Sequence, residues 1–378
     1  MNRFLWAAAI VGMLGACGSV PLPPADEVPM ARQPGVPAAP GDVGPLPPAI
    51  EQGKSRWLPV RWTDLPGFGE DALHEAWNAW LKSCERPGRH FVALCPEVRR
   101  LSIGSGDEQR AWMRLRLQPY RVEALQGPAE GLLTGYYEPT LEASRQPTAR
   151  HAFPLYRPPA SLGSRKPWFT RQEIETLPEA RAALRGREIA YVADPLDALV
   201  LQIQGSGRLR LTEADGSQRM VRVAYAASND QPYRSVGGWL LQQGAIRDAS
   251  WPGIRAWAAQ NPHRVNEMIR ANPRVVFFRE EPLSELDVAF GPRGAQGVAL
   301  TPGRSIAVDK DSIPYGTPVW LVSSGPQVNL QRLTLAQDTG SAIVGGVRAD
   351  YFTGWGPEAG ELAGRLKQPL SLWVLWPR

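Results

Sequence analysis

The 378-residue sequence predicts a mainly β protein with some helices, built as two domains behind an export segment. From residue 273 to the C-terminus, short runs of β-prone residues alternate with glycines, which is typical of many short strands joined by tight turns. Between residues 145 and 272 the pattern becomes a mixture of helical periodicity and short strands. We therefore expect this middle block to be a β-rich domain inserted into a β-barrel domain.

The first 17 residues have the order of parts found in bacterial lipoprotein signals. Arg3 precedes an apolar run from Phe4 to Leu14, which is too short for a membrane-spanning helix. Small residues then lead to Cys17, which is expected to become an acylated N-terminus and to anchor the protein by its lipid. An ordinary signal peptide with a chance cysteine is the alternative. Gly18, in place of an aspartate, favours the periplasmic side of the outer membrane.

Residues 18–54 are predicted to be a proline-rich tether. Ten prolines occur between residues 20 and 50. Such a stretch cannot bury a core and prefers extended geometry, so it would give an anchored domain reach.

Periodicity along the remaining chain predicts helices and strands in a defined order. Apolar residues at helical spacing place Trp77 and Trp80 on the buried face of a helix over Glu70–Lys82. Further helices are expected at Asp107–Leu117, Arg171–Leu184, Val236–Gln243, Ile254–Gln260 and Pro357–Leu366. Strands are expected at Leu132–Pro139, Ala198–Ile203, Arg208–Leu211, Met220–Tyr225, Val275–Phe278, Ile306–Val308, Val319–Val322, Leu333–Ala336 and Leu372–Leu375.

Composition narrows the classes of partner and of chemistry. The formal net charge of +5 suits an anionic polymer. Nucleic acid is not expected behind an export signal, and the basic residues form no stripe with interleaved aromatics. The four histidines are scattered, so we expect no zinc site, no serine-hydrolase triad and no cofactor. Cys84 and Cys95 form either a disulfide, as an oxidising compartment permits, or two buried thiols.

Three aspartates in the C-terminal block lie beside apolar, β-prone residues: Asp309, Asp338 and Asp350. A half-buried carboxyl group near another carboxylate has a raised pKa, which keeps a general acid protonated near neutral pH. Two alternatives remain on spacing alone. Each aspartate could cap a turn or tie a barrel crossing, or the three could hold calcium, although no spaced acidic loop is present.

Several sequence blocks resemble one family of bacterial cell-wall enzymes. Gly297–Asp309, Ile313–Thr317, Ala336–Ile343 and Asp350–Phe352 resemble the three-aspartate (3D) domain. Leu133–Pro139, Gln202–Gly207 and Tyr225–Tyr233 are similar to the matching blocks of the membrane-bound lytic murein transglycosylase A family. The resemblance covers roughly residues 55–378 in the right order. One position departs from it, because Ser341 stands where a glycine is expected.

The resemblance implies a fold and an activity. The fold would be a double-psi β-barrel formed by residues 55–144 and 273–378, with the smaller β-rich domain of residues 145–272 inserted and peptidoglycan glycan strands in the groove between them. The activity would be cleavage of the β-1,4 bond from N-acetylmuramic acid to N-acetylglucosamine, leaving 1,6-anhydromuramic acid ends. Cell-wall synthesis or division complexes are candidate partners.

The resemblance also assigns roles to residues. Asp350 would be the acid/base, Asp338 a supporting carboxylate that raises the Asp350 pKa, and Asp309 either a third member of the site or a tie within the barrel. Polar or aromatic residues in glycine- or proline-bounded loops are candidates for substrate binding, although the glycines could serve backbone shape instead. These candidates are Thr134, Gly135, Tyr136, Gln204, Gly205, Ser206, Ser228, Tyr233, Thr339 and Gly340.

Two other functions remain open at this point. A hydrolase (muramidase) would use water and leave a reducing end, which the mass of the products distinguishes. A non-catalytic peptidoglycan-binding lipoprotein would have no need of the acidic cluster.

Overall fold

The computed structural model describes residues 44–126, 130–284 and 287–378. The expected signal segment, its acylated Cys17 and most of the tether lie outside these ranges. Within them, no helix has the length and apolar character needed to cross a membrane.

The described part of the chain contains fifteen strands and ten α-helices, which confirms the mainly β class with some helices. The strands are β1 (Ile50–Gln52), β2 (Ser55–Pro59), β3 (Leu117–Ala124), β4 (Gly131–Glu138), β5 (Thr140–Ser144), β6 (Phe153–Tyr156), β7 (Glu188–Val192), β8 (Ser206–Thr212), β9 (Gln218–Ser228), β10 (Val276–Pro282), β11 (Ser305–Val308), β12 (Pro318–Ser324), β13 (Asn329–Asp338), β14 (Arg348–Trp355) and β15 (Lys367–Pro377). The helices are α1 (Leu73–Ser83), α2 (Cys95–Arg100), α3 (Gly106–Arg116), α4 (Arg171–Thr176), α5 (Pro178–Leu184), α6 (Pro195–Gln204), α7 (Val236–Gln242), α8 (Trp251–Gln260), α9 (Val265–Arg270) and α10 (Gly356–Arg365).

A nine-stranded sheet forms the barrel, in the order β1-β2-β3-β15-β12-β13-β11-β14-β4. Lys367 of β15 also pairs with Thr134 of β4, and this pairing closes a ring of six strands. The β11–β13 and β14–β4 pairs are parallel, so their chains must cross over between strands. Strand β4 comes from the N-terminal half and the other five from the C-terminal half, which confirms the expected barrel built from both chain ends.

A second sheet, in the order β10-β9-β8-β5-β7-β6, forms the inserted lobe. Its apolar core contains Leu209, Val221 and Phe278, and α6 contributes Ala198 and Leu201 to it. Because β5 and β10 pair within this sheet, the inserted lobe runs from Thr140 to Pro282 rather than from residue 145 to 272. The rest of the described chain from Ile50 onward is called the barrel lobe below.

The N-terminal boundary of the barrel lobe also differs from the expected end of the tether at residue 54. Ile50–Gln52 form β1 and pair with β2 across a tight turn at Gly53 and Lys54. Gly53 has a φ of +54°, and a Cβ there would lie 1.9 Å from the Asp311 carbonyl oxygen, so only glycine fits. This turn places Lys54 beside Asp309, to which its ammonium group donates at 2.9 Å.

The predicted strand at Ala198–Ile203 is wrong, because these residues belong to helix α6. Asp194 caps the helix by accepting from the Leu196 N–H, Pro195 occupies the first turn, and Gly205 ends it with a φ of 81°. The short apolar run was compatible with either structure, and the capping residues were the deciding local signal. The predicted helix at Arg171–Leu184 is two helices, because Pro178 cannot continue α4.

Helices α1 to α3 pack against the face of β12, β13 and β15 that carries Trp320, Leu333 and Trp373. Trp77 and Trp80 of α1 are each 1% exposed and contact Trp112 of α3, with ring centroids 5.7 Å and 5.4 Å apart, so their predicted place in the core is confirmed. Cys84 and Cys95 form a disulfide between the end of α1 and the start of α2. Of the two alternatives for this pair, the structure has the disulfide.

A buried ion cluster joins the two lobes where β4 leaves the barrel. Glu138, at the end of β4, accepts hydrogen bonds from Arg208 at 2.8 Å and from Arg222 at 2.5 Å, and these arginines lie on β8 and β9. All three side chains are buried. Both arginines also donate to the Phe290 carbonyl on the chain returning to the barrel. The chain passes between the lobes twice, after Glu138 and before Phe290, and the two arginines connect both of these segments.

Glu138→Gln should destabilise the protein strongly, because it leaves two buried guanidinium groups without their counter-ion. We expect the free energy of unfolding to fall by about 3–5 kcal/mol in urea titrations. Glu142→Gln is the matched control, since Glu142 pairs with Arg210 on the surface and each side chain is about half exposed. The control should cost less than about 1 kcal/mol. Equal losses for the two variants would contradict a special role for the buried cluster.

Candidate active site

Strand register brings Asp338 and Asp350 to one face of the barrel. Ala307 on β11 pairs with Asp350 on the antiparallel side and with Asp338 on the parallel side. Directly paired residues project from the same face of a sheet, and the two outer backbones are separated by two strand spacings, about 10 Å. The two carboxyl groups therefore converge over the small side chain of Ala307.

A register shift in β13 aims Asp338 at this face. The pairing passes from Ile306–Ala336 to Ala307–Asp338 and skips Gln337. Gln337 is fully buried, where its amide donates to the Ala79 carbonyl and to the Ser83 hydroxyl of α1, each at 2.8 Å. A bulge re-aims the side chains that follow it. The contact between Gln337 and α1 therefore anchors the irregularity that turns Asp338 into the site.

Asp350 is half-buried and held by its neighbour on β4. The Thr134 hydroxyl donates to Oδ1 of Asp350 at 2.5 Å, and Arg348 donates to the Thr134 hydroxyl at 2.7 Å. Burial raises the pKa of Asp350 above its usual range, while the Thr134 hydrogen bond and the Arg348 charge oppose this rise. The balance favours a carboxyl group that holds its proton to higher pH than an exposed aspartate does.

Asp338 accepts three hydrogen bonds and still has a raised pKa. The Tyr136 hydroxyl donates to Oδ2 at 3.0 Å, and the Ala295 and Thr339 N–H groups donate to Oδ1 at 2.9 Å. Burial raises the pKa of Asp338 to about 6 against these donors, and the charge of Asp350 adds to the rise. The expectation that Asp338 raises the pKa of Asp350 therefore does not match this balance. The charge of Asp350 raises the pKa of Asp338, whereas burial raises the pKa of Asp350.

Asp309 lies in a different environment from the other two aspartates. Its side chain is buried and accepts from Lys54 at 2.9 Å and from the Gly345 and Asp311 N–H groups at 2.9 and 3.0 Å. Burial opposes ionisation, but these donors outweigh it and lower the pKa of Asp309. Its contacts join the β1–β2 turn, β11 and the loop before β14, which favours the expectation that it holds the barrel together.

A cleft of about 140 Å³ opens between the two lobes, with Asp350 in its wall. The barrel lobe contributes Gly340, Ser341, Ala342, Ile343 and Asp350, and the inserted lobe contributes Gln202, Ile203, Tyr233, Asn272, Arg274 and Val276. The groove expected between the domains is therefore present, and it exposes one of the three aspartates. The departure at Ser341 is accommodated, because this residue is exposed at the cleft.

Five of the ten candidate binding residues line the cleft or form hydrogen bonds with Asp350 or Asp338. Tyr233 and Gly340 line the cleft. Thr134 and Tyr136 donate to Asp350 and Asp338, so they orient the acids. The Thr339 backbone donates to Asp338, and its hydroxyl donates to the Val308 carbonyl at 2.8 Å.

The other five candidates serve the backbone or lie inside the protein. A Cβ on Gly135 would lie 2.8 Å from the Ala363 Cα, so this glycine lets α10 approach β4. Gly205 ends α6, and the Gln204 side chain accepts from the Tyr137 N–H at 3.0 Å. Ser206 and Ser228 are buried. The glycine alternative stated for Gly135 and Gly205 is therefore the one that the structure supports.

The sequence reasoning missed Arg348 and the polar residues that the inserted lobe places in the cleft. The sequence could have predicted Arg348 as a site residue, because it lies two residues before Asp350 on the same strand and side chains two apart project from the same face. Asn272 and Arg274 precede β10 and carry no local signal of a site. Only the packing of the two lobes brings them opposite Asp350.

A second pocket, open and about 530 Å³ in volume, lies elsewhere on the barrel lobe. In this pocket Arg304 bonds both Asp71 and Glu75. None of the three aspartates lines it. Across the residues that the structure describes, no group of three or more His, Cys, Asp or Glu side chains is placed to hold a metal ion.

Comparisons with known proteins agree with this geometry. The MltA specific insert domain model matches residues 132–279, and the 3D domain model matches residues 304–376. Membrane-bound lytic murein transglycosylase A of Escherichia coli strain K12 is 32% identical over 285 residues, covering 72% of this chain and 73% of that protein. The chain belongs to the membrane-bound lytic murein transglycosylase A family.

Solved structures extend the likeness to nearly all of the described chain. The lytic transglycosylase LtgG of Burkholderia pseudomallei is 43% identical, covers 88% of this chain and 98% of its own, and has a TM-score of 0.58. A membrane-bound lytic murein transglycosylase of Agrobacterium tumefaciens is 29% identical, with 85% and 98% covered and a TM-score of 0.73. In this chain, the segment that matches the 3D domain contains all three aspartates, and the segment that matches the insert domain ends within β10.

Asp338→Asn should stabilise the protein at pH 8 and have little effect at pH 4. The raised pKa of about 6, against an ordinary value of 3.8, means that the native wild type loses stability as pH rises between those values. An amide oxygen can accept the same two N–H groups without this loss. The gain at pH 8 should be about 1–2 kcal/mol, roughly half of the full linkage because Asp338 is partly exposed.

The measurement is thermal unfolding of both proteins from pH 4 to pH 8. A stability difference that stayed constant with pH would contradict the raised pKa of Asp338. Asp215→Asn is the control, because Asp215 is an exposed turn residue with a lowered pKa, and any pH trend it shows should have the opposite sign.

Proposed function

We propose that this family member cleaves the β-1,4 bond from N-acetylmuramic acid to N-acetylglucosamine in peptidoglycan, closing a 1,6-anhydro ring, with Asp350 as the single acid/base. One observation carries the proposal. Among the residues that line the lobe cleft, Asp350 is the one carboxyl group, and its raised pKa suits a proton donor. A conventional glycosidase would present two carboxyl groups on opposite sides of the scissile bond.

In the first step Asp350 donates its proton to the glycosidic oxygen as the bond from C1 of muramic acid to that oxygen breaks. General acid catalysis of this kind is efficient when the acid remains protonated near the working pH. The departing N-acetylglucosamine leaves with the proton as its hydroxyl group. Thr134 and Arg348 then stabilise the Asp350 carboxylate that remains, because the Thr134 hydroxyl already donates to it.

In the second step the C6 hydroxyl of the same muramic acid attacks its C1, and the Asp350 carboxylate takes the hydroxyl proton. A bond from O6 to C1 replaces the broken glycosidic bond, no water is consumed, and Asp350 returns to its protonated form. An attacking group within the substrate gains from high effective molarity. One carboxyl group can therefore perform both proton transfers.

Asp338 supports the charge that develops in between. With a pKa of about 6 it is largely ionised at neutral pH, and its carboxylate lies on the same face of the barrel as Asp350. A fixed negative charge stabilises the positive character that C1 acquires in an oxocarbenium-like transition state. Asp309 has no direct role in this scheme, and we assign it to holding the β1–β2 turn against β11.

The proposed location follows from the same substrate. A lipid on Cys17 and a proline-rich tether would place the enzyme on the periplasmic side of the outer membrane, within reach of peptidoglycan. The names of its relatives, which describe membrane-bound enzymes, support membrane association.

Asp350→Asn should abolish the release of anhydro products from purified sacculi. The amide cannot donate or accept the proton as an acid/base does, so the rate should fall by about 10²–10⁴-fold. Mass spectrometry of the released muropeptides measures this, since an anhydro product is lighter by one water than the product of hydrolysis. Asp311→Asn is the control, because its side chain is exposed and lies on the loop beside Asp309, and it should retain activity.

Reducing-end products from the wild-type chain would overturn the transglycosylase in favour of a muramidase. Binding to sacculi with no products from either protein would leave a wall-binding lipoprotein. Full activity of Asp350→Asn would remove Asp350 from the mechanism while leaving the reaction itself in place.

Thr134→Val should move the alkaline limb of the kcat–pH profile to higher pH. The acid form of Asp350 is the active one, so activity is lost as pH rises through its pKa, and removing the Thr134 hydrogen bond raises that pKa further. We also expect kcat to fall on the order of tenfold, because the carboxylate loses a donor. A lower kcat with an unshifted profile would indicate that Thr134 only packs in the site.

A further inference from the structure

We infer that Arg274 forms a subsite for a carboxylate carried on the lactyl side arm of muramic acid, and that this contact distinguishes peptidoglycan from neutral glycan strands. The inference rests on the proposed function, whose substrate it specifies further. It concerns the wall of the cleft that faces Asp350.

Arg274 presents a positive charge to the cleft without a carboxylate partner. Its guanidinium donates to the Gln231 carbonyl at 3.2 Å, and the side chain remains half-exposed among the lining residues. In the part of the chain that the structure describes, no ion pair within 4.0 Å involves Arg274. The cation that acts on the Asp350 pKa is Arg348, so the Arg274 charge is not committed to the acid.

A second cation lies directly beneath this wall. Arg171 is 7% exposed, and its hydrogen-bond acceptors are neutral oxygens: the carbonyls of Asn272 and Arg274 and the amide oxygen of Gln202. Burial lowers the pKa of Arg171 to about 10, so it keeps its charge at neutral pH. Among the described residues, the carboxylate that acts on Arg171 is Glu175, which attracts it without forming an ion pair within 4.0 Å. A buried cation of this kind attracts further anions strongly because little solvent screens it.

The same contacts hold Arg274 in place. Arg171 binds the backbone on either side of Pro273, and the Asn272 side chain accepts from the Arg274 and Arg234 N–H groups at 3.2 Å. A binding group whose backbone is fixed in this way gives up less conformational entropy when a ligand arrives. Residues 272–274 therefore form a fixed backbone that supports the Arg274 side chain at the cleft.

The positive charge of this wall is complementary to the carboxylate on the side arm of muramic acid. Among the cleft-lining residues the only carboxyl group is Asp350, which must be protonated when it acts as the acid. N-acetylglucosamine is neutral, whereas muramic acid carries a lactyl arm that ends in a carboxyl group or continues into a stem peptide with carboxylates. A muramic acid ring over Asp350 can direct that arm across a cleft of about 140 Å³ to the opposite wall.

Binding measurements in an Asp350→Asn background test the inference without cleavage of the ligand. The probes are a neutral chitin hexamer, glycan strands stripped of stem peptides, which expose the lactyl carboxylate, and strands that retain their peptides. Arg274→Gln should weaken binding of a carboxylate-bearing strand roughly tenfold and leave the chitin hexamer unaffected, since a charge-assisted hydrogen bond is lost. Arg274→Lys, which restores the charge, should recover most of the affinity.

The three probes separate the possible results. A loss with stripped strands identifies the lactyl carboxylate, and a loss confined to peptide-bearing strands identifies the stem peptide. An equal loss with all three probes, or none with any, would overturn the inference. Failure of the proposed function is recognised separately, because it appears as reducing-end products or no products from the wild-type protein, whatever Arg274→Gln binds.

Discussion

Strand β4 lies between β14 and β15, and its pairing with both joins the two ends of the chain. This closure sets Thr134 against Asp350 on one side and against Lys367 on the other. It also carries Tyr136 to Asp338 two residues later along the same strand. Without β4 the barrel would be an open sheet, and both acids would lose the hydroxyl donors that orient them. The site therefore depends on a contact between residues more than 200 positions apart.

Burial raises the pKa of all three aspartates, and their hydrogen-bond donors decide the outcome. Asp309 receives enough donors, including the Lys54 ammonium group, that its charge is stabilised inside the barrel. Asp350 and Asp338 accept hydrogen bonds from uncharged donors only, and both have raised pKa values. Keeping them in this state costs folding free energy at neutral pH, which the large apolar cores around them can sustain. The same difference separates a structural carboxylate from one suited to proton transfer.

The inserted lobe contributes both a fixed position and a charge of opposite sign. Hydrogen bonds from Arg208 and Arg222 to Glu138 connect the sheet of the inserted lobe to the end of β4. The two lobes on either side of the cleft are therefore joined by one buried ion cluster. One wall carries Asp350, and the other carries Arg274, whose backbone carbonyl accepts from Arg171. In the proposed function, a polymer of alternating sugars with acidic side arms lies between these two walls. Under that proposal, the packing of the two lobes contributes to the choice of substrate.

Local sequence determined the elements whose signals lie within a few residues. Residue spacing predicted the buried tryptophans of α1, the strands β8, β11 and β12, and the aspartates beside β-prone residues. The blocks that resemble the family predicted the barrel. The capping residues around α6 also lie within a few positions of it, although the apolar run Ala198–Ile203 alone predicts a strand. Only tertiary structure decided the register that flanks Ala307 with two acids, the bulge at Gln337, and the place of Arg274. Those features depend on contacts between distant segments, for which periodicity carries no information.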